Sequence, residues 1–203
     1  GEDRRPNEPT ELAAWRTRVD RGEDLLDGFL ARSRAVLDHL ILSGQSDPTR
    51  LAAVGTSRGG FLAFHFAAAE PRIRCVGGIA PVTDLLALRE FSGVARLKET
   101  QDLALVHLAK RLANRPVWLS IGNRDERVST EAAIMFSRAL VAAAAPEAPA
   151  PVTLLVHAGA GHRSSPEDHE RLAAWLLTQP PFSSKPSTNT LPTTSLPPPI
   201  TLP

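Results

Sequence analysis

Apolar and polar positions alternate along the chain in two different rhythms. The helical rhythm dominates. After a charged opening with Pro6 and Pro9, "ELAAWRTRV" predicts a short helix and "EDLLDGFLARSRAVLDHLILS" a long one. In the latter, Leu26, Leu30, Leu37 and Ile41 share a stripe with Leu25, Phe29, Val36 and Leu40, and Gly44 supplies the stop. "RLAAVG" is too short and too evenly apolar for a helix. It predicts a strand covered on both faces. "GGFLAFHFAAAE", closed by Pro71, predicts a helix, and "IRCVGGIAP" the next strand. Two helices, "TDLLALREF" and "QDLALVHLAKRLA", are expected next. They are followed by the strand "PVWLSIG", the helix "STEAAIMFSRALVAAAA", the strand "PVTLLVHAG" and the helix "PEDHERLAAWLLT". Ser165, Pro166 and Asp168 form a capping-box-like start to that last helix.

Strands that alternate with helices predict an α/β fold: a parallel sheet flanked by helices. Three segments follow from the pattern. Residues 1–10 read as a loop, 11–179 as the folded domain, and 180–203 as a disordered tail rich in Pro, Ser and Thr. The tail reads as a passive linker, with a Pro-rich docking ligand or glycosylated stalk as its functional reading.

Composition narrows the function little. The 203 residues carry a formal net charge of +1, with basic and acidic residues intermixed, which excludes a nucleic-acid footprint. No apolar run reaches the length of a membrane span. One cysteine, Cys75, precludes an internal disulfide and points to a reducing, cytoplasmic setting. No His/Cys/carboxylate spacing suits a metal, and no cofactor is expected.

The chemistry gathers at "GTSRGG". Gly55 ends a strand, Ser57 occupies the turn, and Gly59 opens a helix. A nucleophile on such a turn is held in a strained backbone, with glycines where strand and helix pass close by. The backbone N–H of Arg58 then points from a helix N-terminus toward a developing oxyanion. Serine needs a base, expected on a loop after the last strand, where "HAGAGH" places His162. His157 lies inside the strand as a rival, and His65 on the elbow helix reads as structural. The base needs an orienting acid. Asp125 directly follows a strand in "IGNRDERV". Asp84 is the runner-up, although with Thr83 it reads equally as a helix cap.

"GTSRGG", "IGNRDERV" and "GAGH" together resemble the α/β hydrolases, nearest to their prolyl-oligopeptidase-like and dienelactone-hydrolase-like branch, over residues 11–178. The resemblance implies Ser57 as nucleophile, Asp125 as acid, His162 as base and Arg58 N–H as one oxyanion donor, without a cofactor. It implies hydrolysis of a small carboxylic ester by acyl transfer, because no substrate-gating domain precedes the fold. The alternatives are an S9-like serine peptidase and a non-catalytic remnant. Relatives place several strands before the long helix and draw a second oxyanion donor from them. This sequence is therefore expected to hold the C-terminal half of the sheet, with "RLAAV" at a bare edge open to self-association. The segment 81–116 is expected to form a small helical cap, with Arg89, Phe91 and Lys98 as candidate wall residues, or simply solvated helix faces.

Overall fold

The computed structural model describes residues 5–183. Four strands, β1 (Leu51–Thr56), β2 (Ile73–Ile79), β3 (Val117–Arg124) and β4 (Val152–Ala160), form one sheet in sequential order, each pair parallel. The helices are α1 (Glu11–Asp20), α2 (Asp27–Leu42), α3 (Arg58–Ala69), α4 (Leu97–Asp102), α5 (Ala109–Leu112), α6 (Thr130–Ala143), α7 (Pro166–Thr178) and a final turn α8 (Pro180–Ser183). The α/β class expected from the pattern is the one observed. The tail beyond Ser183 and residues 1–4 lie outside the described residues.

Strand alternation divides the core into two layers. Val117, Leu119 and Ile121 of β3 face the larger layer, with Phe61, Phe64, Phe136 and Leu140 from α3 and α6. Trp118, one position out of step, faces the other side with Ile79, where Leu172 and Trp175 of α7 cover it. Phe64 and Phe136 meet edge to face at 5.1 Å, locking α3 to α6. Trp118 is buried, whereas Trp15 and Trp175 are half-buried.

Three expectations need correction. The long helix begins at Asp27, not Glu23, because the Asp24 carboxylate accepts from the N–H groups of Leu26 and Asp27 and turns the chain before the helix starts. Its apolar stripe is also thinner than the periodicity implies, since Leu37 is buried but Val36 is 59% exposed. β1 is not covered on both faces. Val54 is 49% exposed in β1 at the open edge, while α7 packs mainly against β2 and β3. The two helices expected after β2 are broken into 3-10 turns at Leu85–Ala87, Arg89–Phe91 and Leu105–Leu108, with the short α4 and α5. Asp84 accepts from Leu86 N–H at 2.8 Å and so caps the first of these turns.

Candidate active site

β1 delivers the chain to Ser57, and α3 starts at the next residue. Ser57 has φ 53° and ψ −119°, a conformation that side chains rarely adopt. Its N–H donates to Ile79 O at 2.9 Å, and its carbonyl accepts from Val82 N–H at 3.0 Å, so the end of β2 holds the turn in place. A Cβ on Gly55 would lie 2.3 Å from Gly59 backbone atoms; strand and helix cross there with no room for a side chain. Gly59, by contrast, has nothing within 4 Å of such a carbon. The second close approach belongs to Gly60, whose Cβ would meet Pro81 at 2.6 Å. Ser57 makes no side-chain cap to α3, and Arg58, the first residue of that helix, lines the cleft described below.

Asp125 follows β3 and is only 2% exposed. Thr130 organises its loop: the hydroxyl donates to Gly122 O at 2.7 Å and accepts from Asp125 N–H at 3.2 Å. One carboxylate oxygen, Oδ1, accepts from the N–H groups of Arg127 and Val128 at 3.0 and 3.2 Å. The other, Oδ2, lies 2.8 Å from Nδ1 of His162. Nε2 of the same imidazole lies 2.9 Å from Ser57 Oγ. Three side chains separated by up to 105 positions thus form one hydrogen-bonded chain. Glu126 points to solvent.

These groups open into a cleft of about 340 Å³. Glu11 and Leu12 of α1, Leu88, Arg127 and Val128 complete its wall with the elbow residues and His162. α1 is fastened over the elbow. Trp15 packs on Phe61 at 5.8 Å, the Arg58 guanidinium sits 5.8 Å over the Trp15 ring, and Arg16 donates to the carbonyls of Glu90, Ser92 and Gly93. Arg127 is held by Glu90 through two hydrogen bonds of 2.8 and 2.7 Å. Of the residues read as possible walls, Arg89 and Lys98 have exposed side chains and Phe91 is buried in the core. Sequence reading passed over α1 because its polar flank carries no motif. Only the fold brings it to Ser57.

His65 is buried, with Nε2 3.0 Å from Leu103 O, as a structural histidine should be. Cys75 is fully buried in β2, and burial pushes its thiol up to about 11, away from nucleophilic reactivity.

Residues 31–180 match the prolyl oligopeptidase family. Among solved structures, the fold is similar to a puromycin-hydrolyzing peptidase of Mycobacterium tuberculosis: TM-score 0.57, 20% identity, covering 72% of this chain and 24% of that one. An acylaminoacyl peptidase of Pyrococcus horikoshii gives a TM-score of 0.57 at 15% identity, over 70% of this chain and 26% of its own. Acetyl xylan esterase 1 of a Thermoanaerobacterium species gives 0.52 at 19%, over 64% and 46%. The chain thus spans about a quarter of the length of those two peptidases and under half of that esterase. No curated protein sequence matches it significantly.

Proposed function

This chain belongs to the prolyl oligopeptidase family of serine hydrolases, and on that premise we propose that Ser57, His162 and Asp125 act as a catalytic triad that hydrolyses a small carboxylic ester. Ser57 Oγ attacks the ester carbonyl while its proton passes to His162 Nε2. Asp125 keeps the opposite nitrogen protonated and stabilises the imidazolium. The Arg58 N–H, at the start of α3, binds the oxyanion. As the tetrahedral intermediate collapses, His162 returns the proton to the departing alkoxide, leaving an acyl group on Ser57. A water deprotonated by His162 then releases the acid.

The observation that carries this reading is the imidazole bonded at both nitrogens, to a buried carboxylate on one side and to the elbow serine on the other. The ester preference is supported by the size of the cleft, which falls at the small end for ligand sites and suits a short acyl group against Leu12, Leu88 and Val128. Peptide hydrolysis is the second reading, favoured by the two peptidases among the structural neighbours.

A fluorophosphonate probe tests the triad. It is expected to modify the purified chain at Ser57 and to leave Ser57→Ala unmodified. Equal labelling of both proteins, or none of either, would overturn the reading. Comparing p-nitrophenyl acetate with an acylaminoacyl p-nitroanilide then separates ester from peptide hydrolysis.

A further inference from the structure

The bonds that align His162 do not hold its loop. Gly161–Ser165 joins β4 to α7 and carries the imidazole at its second position. The β3–β4 pairing ends at Arg124 and Ala160, directly before this loop. The β3–β4 register shifts between Gly122 and Arg124, and Gly161 takes φ 78°. Gly159 N–H donates to Asn123 Oδ1 at 3.3 Å. A loop past the end of the sheet needs another anchor if the imidazole is to stay within bonding distance of Ser57, because a displacement of about 1 Å lowers turnover about 100-fold.

Asp168 supplies one anchor. Its Oδ2 accepts from the Ser165 N–H at 3.1 Å and from the Ser165 hydroxyl at 3.0 Å, while its own N–H donates to Ser165 Oγ at 3.2 Å. A capping box of this kind needs no burial, yet Asp168 is only 2% exposed. Its other oxygen, Oδ1, faces Nε2 of His157 across the loop at 3.6 Å. His157 lies in β4 five residues before His162, and Asp168 in α7 six residues after it. Burial alone would raise the Asp168 carboxyl, but the Ser165 donors and its polar neighbours His157 and Ser120 bring it below the ordinary aspartate value. α7 is itself immobilised by Leu172, which packs against Ile79 and Trp118.

We infer that His157 and Asp168 are positioning residues: their pair clasps the two ends of the Gly161–Ser165 loop and thereby holds the His162 imidazole between Asp125 and Ser57. The inference rests on the triad reading for its catalytic consequence, but not for its geometry. Neither residue touches the reacting atoms.

The test compares His157→Leu, Asp168→Asn and His157→Lys with the parent chain. Three quantities are measured: thermal midpoint, kcat and KM for p-nitrophenyl acetate, and the low-field proton resonance of His162 Nδ1–H against Asp125. The first two variants are expected to lower kcat about 10- to 100-fold, with KM within about twofold and the resonance broadened. The double variant should be no worse than either single one, as for two residues sharing one interaction. Lysine at 157 restores a hydrogen-bond donor to Asp168 and is expected to recover part of kcat. An unchanged resonance in His157→Leu and Asp168→Asn, or a loss confined to KM or to thermal stability, would overturn the inference, as would its absence from the parent. An inactive parent whose resonance is present and vanishes in His157→Leu would sink the hydrolase reading and leave the clasp standing.

Discussion

Replacing Gly55 with alanine puts one methyl group where the structure has none to spare. The new carbon would lie 2.3 Å from the carbonyl carbon and oxygen of Gly59 and 2.6 Å from Gly60 N. All three are backbone atoms, so no rotamer change relieves the contact. Carbon contacts become tolerable only above 3.0–3.4 Å, so the start of α3 must retreat from β1 by roughly 0.7–1.1 Å. Ser57 lies in the segment that must move. Its 2.9 Å contact with His162 would be stretched past hydrogen-bonding range by a shift of that size. Overpacking of this kind destabilises by about 1–3 kcal/mol, and with a backbone neighbour the upper end is expected. For a domain of this size, that lowers the thermal midpoint by about 6–12 °C. The acylation rate should fall about 100-fold or more. Gly59→Ala is the internal control. Its methyl meets nothing within 4 Å, and alanine in a helix is favoured over glycine by up to about 1 kcal/mol. The assay is a thermal melt paired with the rate of fluorophosphonate labelling at Ser57. If Gly55→Ala melts and labels like the parent, or if the two variants are equally impaired, the reasoning from close approach at the elbow is wrong.

Two further outcomes are expected. Asp125→Asn preserves shape and can still accept from Arg127 and Val128, but it presents an N–H to His162 Nδ1 and forces the wrong tautomer. The result should be a loss of about 10,000-fold in kcat with little change in thermal midpoint, measured with p-nitrophenyl acetate. His65 is buried, and desolvation lowers its pKa to about 4, against the smaller opposing effect of its bond to Leu103. Its folded pKa is below its unfolded one, so the stabilisation is complete above about pH 6.5 and is lost as the pH falls toward about 4. The whole window is worth roughly 3 kcal/mol. In urea titrations, the stability of the parent should therefore fall more steeply than that of His65→Gln between about pH 6.5 and pH 5; parallel curves would contradict the assignment.

Much of the architecture was legible because it is written in local period. The alternating strands and helices, the Ser165–Asp168 cap and the glycine after α2 are decisions the chain makes within a few residues. The elbow was legible for the same reason, since G-x-S-x-G is a single turn. Reading stopped where neighbours in space are distant in sequence. The run after β2 has a helical composition, but Leu85, Phe91 and Leu105 are drawn into the core, and the chain bends through 3-10 turns to deliver them. β1 looks like a central strand because its residues are apolar; its place at the sheet edge followed from the resemblance and is the one observed, but apolarity alone could not report it.

The sequence by itself determined which residue types could perform acyl transfer and on which kind of turn the serine would sit, because propensity, capping and turn chemistry act over one or two turns of chain. Only the tertiary structure decided that Asp125 and His162 meet Ser57, that α1 walls the cleft, and that Gly60 rather than Gly59 joins Gly55 in the close crossing. Those are matters of distances across the sheet, set by how α3, α6 and α7 pack on it, and no local pattern encodes them.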